Sequence, residues 1–346
     1  GHCIGVDHYY LAQKDIDVFV YNSHDHPYQE KKYNGVHIIH KYDPESKIGT
    51  AGQFIYDLNC ILDARKRNFD LILQLGYTSS SVWGWLLPSQ AFILTNMDGL
   101  EWKRSKYSKK VRKFLKYAEA WAVKTSDHLI ADSRGIQKYL KNTYSQNSTY
   151  IPYGANLFDD PNPSVLEAYN LEPYKYNMLI ARLEPENNIE TVLEAVQRDS
   201  DRTLFLVIGK HDTGYGSYLK QRYTSSDHIK FLGGIYDLDH LNNLRHYSNL
   251  YFHGHSVGGT NPSLLEAMAS DALIIAHKNI FNESILGDCA YYFTSPEEIL
   301  PRLKSDKKDY TAWIRSNRDK IRDDYNWPKI NEHYETTILT CLKTLN

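Results

Sequence analysis

The chain has 346 residues, 42% hydrophobic and 24% charged, with 40 basic and 42 acidic side chains and a net charge of −2. That length suits about two domains with packed cores, and the near-neutral balance argues against a general nucleic-acid binder. No run approaches the ~18 apolar residues of a membrane span, no signal peptide is visible, and Cys3, Cys60, Cys289 and Cys341 are scattered without metal or redox spacing, so a cytoplasmic protein with reduced thiols is expected.

The sequence starts on Gly1-His2-Cys3-Ile4-Gly5, which reads as the turn after a first strand, with that strand absent. The following helix, residues 7–13, is short for a crossover between parallel strands, so residues are expected to be missing upstream and near Gln13. Strands are expected at 17–21 and 36–39. The intervening His24-Asp25-His26-Pro27 reads as a loop, because no third ligand follows at a diagnostic metal spacing. Apolar residues at three- and four-residue intervals (Phe54, Ile55, Leu58, Ile61, Leu62) predict a helix over 50–69. A largely apolar strand at 70–75, a helix at 79–87 stopped by Pro88, and a strand at 92–96 follow.

Asn96-Met97-Asp98-Gly99-Leu100-Glu101-Trp102-Lys103-Arg104 sits at the carboxyl end of that strand, where open α/β sheets bind ligands. Asp98 is either a ligand-facing carboxylate or a helix cap. The chain then turns basic: Lys103, Arg104, Lys106, Lys109, Lys110, Arg112, Lys113 and Lys116 precede the next acid, Glu119. Val111, Phe114, Leu115 and Ala118 give this helix an apolar stripe. It is either a solvated face or a contact for an anionic membrane surface, where each basic residue contributes on the order of 1 kcal/mol. A strand at 128–133 and a helix at 135–141 follow. Tyr150-Ile151-Pro152-Tyr153-Gly154-Ala155-Asn156 closes the first half, and Asp159-Asp160-Pro161-Asn162-Pro163 reads as linker.

The second half repeats the alternation: strands at 178–181, 204–209, 229–234 and 272–276, helices at 189–197 and 238–247, and a final helix at 327–345. Its centre is His253-Gly254-His255-Ser256-Val257-Gly258-Gly259-Thr260-Asn261-Pro262-Ser263-Leu264-Leu265-Glu266-Ala267-Met268. An apolar strand end precedes it, helix formers follow, and Pro262 suits a first helical turn. Strand, Gly-rich turn and helix N-terminus together aim free amides and a positive dipole end at one spot, and an anion is the natural occupant. Glu266 lies about one turn inside the helix, where it can accept hydrogen bonds from sugar hydroxyls.

This stretch resembles the donor-binding motif of the retaining glycosyltransferases of family 4, in which two glutamates separated by seven residues face a nucleotide sugar. Glu266 matches the second; Gly258 stands where the first would be. The variant here is similar to a bacterial subgroup that includes β-1,4-rhamnosyltransferases. In related enzymes Asp98 has a His counterpart at the reaction centre. The resemblance makes Arg182 a grip for the donor diphosphate. The family's partner Lys falls on or near Asn187, and Lys210 is the candidate replacement for its charge. Gly1 and Gly5 fall where the family's first Gly-rich turn approaches donor and acceptor.

The resemblance therefore implies an α/β protein of GT-B type, with two Rossmann-like domains facing a cleft: an acceptor-side domain over 1–155, a donor domain over 156–326, and a helix over 327–346 crossing back to the first. It implies a metal-independent, retaining transferase in which Asp98, Arg182 and Glu266 serve the reaction. Gly1, Gly5, Lys210, Gly258, Gly259, Thr260, Asn261, Ser263 and Glu266 would bind the donor. No cofactor is implied. The donor would be dTDP-rhamnose, the acceptor a lipid-linked glycan or oligosaccharide, and the location the inner face of the membrane. No pair of catalytic carboxylates is evident, which leaves deprotonation of the acceptor to the departing phosphate. A nucleotide-sugar epimerase and a non-catalytic nucleotide-sugar-binding protein are the alternative readings.

Overall fold

A computed structural model describes residues 8–14, 16–104 and 106–344; Gly1 and Gly5 lie outside them. The chain divides into two compact units, one comprising 1–102, 107–153 and 327–346, the other 103–106 and 154–326.

The first unit holds β1 (Phe19–Ser23), β2 (Lys32–Tyr33), β3 (Val36–Lys41), β4 (Leu71–Gln74), β5 (Phe92–Asn96), β6 (His128–Ala131) and β7 (Thr149–Tyr150). One sheet runs β1-β3-β2, with β1 and β3 parallel and β2 antiparallel to β3. The other runs β4-β5-β6-β7, all parallel. The final helix, Trp327–Lys343, belongs to this unit and buries Ile330, Tyr334 and Ile338 against Leu94, Ile130 and Ile151. Fully burying side chains of this size stabilises by roughly 1.5–3 kcal/mol each.

Three local features depart from the sequence expectations. The β2–β3 hairpin is absent from them; its turn is Asn34-Gly35, with φ of 46° and 88° at the two central residues, the left-handed pair that a two-residue hairpin needs. The helix expected over 50–69 is Ala51–Ala64. Beyond it the amides of Lys66 and Arg67 bond back only three residues, to Asp63 and Ala64, so the coil tightens and stops. The segment expected as a helix over 79–87 is a 3₁₀ helix, Ser80–Leu86.

The second unit holds a single six-stranded parallel sheet: β8 (Tyr176–Ile180), β9 (Leu204–Ile208), β10 (Ile229–Gly233), β11 (Leu250–His253), β12 (Ile274–His277) and β13 (Tyr291–Phe293), in the order β10-β9-β8-β11-β12-β13. Both faces are covered, which is why β11 reads Leu-Tyr-Phe-His with every residue buried. The helix Ile189–Arg198 contributes Ile189, Val192, Leu193 and Val196, a 3.6-residue stripe, to the core around Phe205 and Phe252. From β8 the chain moves outward through β9 and β10, then returns to place β11 on the other side of β8. That reversal makes the carboxyl ends of β8 and β11 a topological switch point, the place where such sheets form a crevice. The segment 159–163, expected as linker, is fastened within this unit: Arg318 donates to Phe158 O (3.2 Å) and Ala269 O (3.3 Å) and pairs with Asp159 and Asp271.

Candidate functional site

Two turns meet at the switch point. Gly254 follows β11, and a Cβ there would lie 2.0 Å from the carbonyl oxygen of Asn187, so only glycine lets the turn after β11 touch the turn after β8. Three hydrogen bonds fasten the contact. Asn188 Nδ2 donates to Gly254 O (2.8 Å), and Ser256 donates to Glu186 O from both its amide (3.2 Å) and its hydroxyl (2.7 Å).

The chain then passes through Gly258, at φ 131°, into the helix Pro262–Ala269. Asn261 caps that helix, its side chain accepting from Ser263 N at 2.9 Å, with Pro262 at the first turn. The amides of Gly258 and Gly259 make no hydrogen bond to any described residue. They sit beside the positive end of a helix, which is the requirement for holding an anion. Two residues expected to bind the donor turn inward instead. Thr260 is buried at 3% exposure. The Ser263 hydroxyl is shared between Tyr251 Oη (2.9 Å) and Arg245 (3.4 Å).

Glu266 has a partner that the sequence did not reveal. Arg245, on the helix Leu238–Tyr247, is 1% exposed, and its Nη2 lies 2.5 Å from Glu266 Oε2. Its Nη1 donates to Asn242 Oδ1 at 3.0 Å. Glu266 itself is 34% exposed, and its Oε1 makes no bond to a described residue. One carboxylate oxygen is thus held by a buried cation, and the other is left for a hydroxyl donor. The arrangement fixes the rotamer of a binding carboxylate.

Arg182 begins the turn after β8 and is exposed. Its guanidinium forms no ion pair or hydrogen bond with a described residue, and it lies close enough to help depress the pKa of His255. Asn187, at the position of the absent Lys, holds this turn in place: its Nδ2 donates to Arg182 O at 2.7 Å. Lys210, expected to replace that charge, is 69% exposed and stands 3.8 Å from Asp212 in its own loop, so its charge is already partly balanced.

His253 and His255 stack 4.4 Å apart, 20° from parallel. Among the described residues neither ring nitrogen of His253 has a partner, nor does His255 Nδ1. Burial drives His255 down to about 4, helped by Arg104 and Arg182. Burial, the neighbouring imidazole and Arg245 hold His253 well below the ordinary value. Two neutral imidazoles therefore floor the turn at pH 7, and no carboxylate among the described residues pairs with the Arg182 guanidinium.

In the first unit, Asp98 lies just past β5 and is half-buried. It does not stand alone. Asp132, just past β6, is 1% exposed, and both carboxylates act on Tyr153 and Tyr334, which are 6% and 1% exposed. Burial first, then the two negative charges, push the Tyr153 phenol far above its ordinary value. Asp132 follows β6 in the same way that Asp98 follows β5; matching the ends of adjacent strands would have flagged it. Arg245 had no such signal, because an Arg in an amphipathic helix reads as surface until its burial is known.

Residues 167–314 match the family model described as "Glycosyl transferases group 1", and residues 87–156 match that of a domain of unknown function, DUF1972. No curated protein matches by sequence. Among solved structures, the chain is similar to sucrose-phosphate synthase from Thermosynechococcus elongatus, with a TM-score of 0.79 and 16% identity over 97% of this chain and 92% of that one. It is similar to Anabaena HepE in complex with UDP and glucose, with a TM-score of 0.70 and 16% identity over 88% and 86%. It is also similar to a glycosyltransferase from Rickettsia africae ESF-5, with a TM-score of 0.65 and 15% identity over 89% and 85%. At these identities the structural likeness shows the fold, an α/β architecture of GT-B type. The match over 167–314 spans the switch-point site from Arg182 to Glu266, so that part of the chain is similar to the glycosyl transferases of group 1.

Proposed function

We propose that the chain transfers a hexose, rhamnose, from a nucleotide diphosphate sugar to a lipid-linked or oligosaccharide acceptor, with retention of anomeric configuration and without a metal. The observation that carries the reading is the group at the switch point: two glycine amides at a helix N-terminus, the Arg182 guanidinium and one oxygen of Glu266, none of them bonded to a described residue. Amides and guanidinium suit a diphosphate, and they stabilise it most as negative charge builds on the leaving group. Glu266 Oε1 suits a ribose or sugar hydroxyl. HepE has been solved with UDP and with UDP-glucose, which agrees with a nucleotide diphosphate sugar as donor; dTDP-rhamnose is the donor favoured by the sequence motif.

Asp98 is proposed to hold the acceptor hydroxyl, with Asp132 and Tyr153 fixing its position. The departing phosphate then takes the acceptor proton. The basic helix Lys109–Thr125 provides contact with an anionic membrane surface, where a lipid-linked acceptor resides. No helix among the described residues is long and apolar enough to cross a membrane.

Transfer from dTDP-rhamnose and UDP-glucose is followed by NMR. The reading predicts a product whose anomeric configuration matches the donor's. An inverted product, or donor turnover to a new sugar without acceptor, refutes it.

A further inference from the structure

We infer that the first unit contains a discrete site for a diphosphate ester, built on the helix Lys109–Thr125. An open groove of about 410 Å³ is lined by Trp102, Lys109, Arg112, Lys113, Lys116 and Tyr117. Positions 109, 112, 113 and 116 share one helix face. Lys109, Arg112 and Lys113 have no carboxylate partner among the described residues; Lys116 alone is paired, with Glu119 at 2.7 Å. The first turn of this helix contains no acid. Three uncompensated cations thus crowd the positive end of a helix dipole, an arrangement that repels itself until an anion neutralises it.

The groove is also held in shape. Arg112 Nε donates to the carbonyl of Trp102 at 2.8 Å, which aims its guanidinium while leaving Nη1 and Nη2 unbonded to described residues, the fork that fits two phosphate oxygens. The Trp102 indole donates to Glu119 at 2.9 Å. Glu119 is 1% exposed and also accepts from Lys116, Tyr139 (2.6 Å) and Tyr144 (2.7 Å). Lys116 sits over the rings of Trp102 and Tyr139, 4.7 Å from each centroid. A merely solvated helix face has no reason for such bracing. The anion site stands on this geometry; that its natural occupant is the diphosphate of the acceptor rests on the function proposed above.

Inorganic pyrophosphate, titrated calorimetrically into the full chain, is the test. Two binding events are expected in the wild type, one of which Arg182→Ala removes. In the Arg182→Ala background, Lys109→Gln with Lys113→Gln weakens the remaining event about tenfold or more. Arg112→Lys, which keeps charge but loses the fork, weakens it by less. A change below twofold in the Lys double variant overturns the proposal. So does loss of binding to phosphatidylcholine vesicles containing phosphatidylglycerol with pyrophosphate binding intact, because the cations then serve a bilayer surface. If Arg182→Ala leaves the titration unaltered while the Lys variant abolishes an event, the donor assignment fails and this site survives.

Discussion

Replacing Glu266 with Ala should unfold the second unit more readily as well as weaken donor binding, and the size of the loss follows from Arg245. That guanidinium is 1% exposed, and Glu266 is its only carboxylate partner among the described residues. Its remaining contacts are the neutral oxygens of Asn242 and Ser263. Removing one partner of a buried pair typically costs 3–5 kcal/mol, because the other charge is stranded. Glu266 is 34% exposed, and water that enters in its place offsets part of the penalty, so about 3 kcal/mol is expected. This is a large share of a typical 5–15 kcal/mol stability. Glu266→Gln keeps an acceptor for Arg245 and should cost about 1–2 kcal/mol. Arg245→Met combined with Glu266→Leu, which removes both charges, should be less destabilising than Glu266→Ala alone. Urea denaturation followed by circular dichroism measures all three. A loss below about 1 kcal/mol for Glu266→Ala, or a double variant worse than the single, would show that Arg245 does not depend on this carboxylate.

Other consequences are as direct. Gly254→Ala forces apart the two turns that form the site, since its Cβ meets Asn187 O at 2.0 Å; nucleotide binding should fall at least tenfold in a protein that still folds. Asn261→Ala removes the cap on the helix Pro262–Ala269 and should cost about 1 kcal/mol in urea denaturation. His255 has an acid-side signature. Its folded pKa, about 4, lies below the ordinary 6.5, so the unfolded chain binds the proton first. This contribution to stability is complete above about pH 6.5 and is lost as pH falls toward 4, on the order of 3 kcal/mol in all. His255→Gln should flatten the stability curve across that window and leave it unchanged above pH 7.

The parallel sheet of the second unit was legible because strands buried on both faces are written as unbroken apolar runs, as in Leu204–Ile208. The Gly-rich turn was legible because its geometry depends on local chemistry: Gly258 for a positive φ, Asn261 for the cap, Pro262 for the first turn. What escaped was non-local. The inward turn of Ser263 toward Tyr251, the Arg245 clamp and the neutral imidazole stack depend on which side chains share a buried space, and spacing along the chain carries no record of that. The Asn34-Gly35 hairpin was a different miss, since the strongest two-residue turn signal stood in the sequence unread. The fate of Lys210 followed from Asp212, two residues away, and could have been anticipated.

The proposed function requires a diphosphate seated between Arg182 and the amides of Gly258 and Gly259. Calorimetric titration with dTDP and UDP, on the wild type and on Arg182→Ala, measures it most directly. The expected result is saturable binding of at least one nucleoside diphosphate, with one event weakened tenfold or more by Arg182→Ala, because a charge-assisted contact is lost. Binding of equal strength in the variant would contradict it.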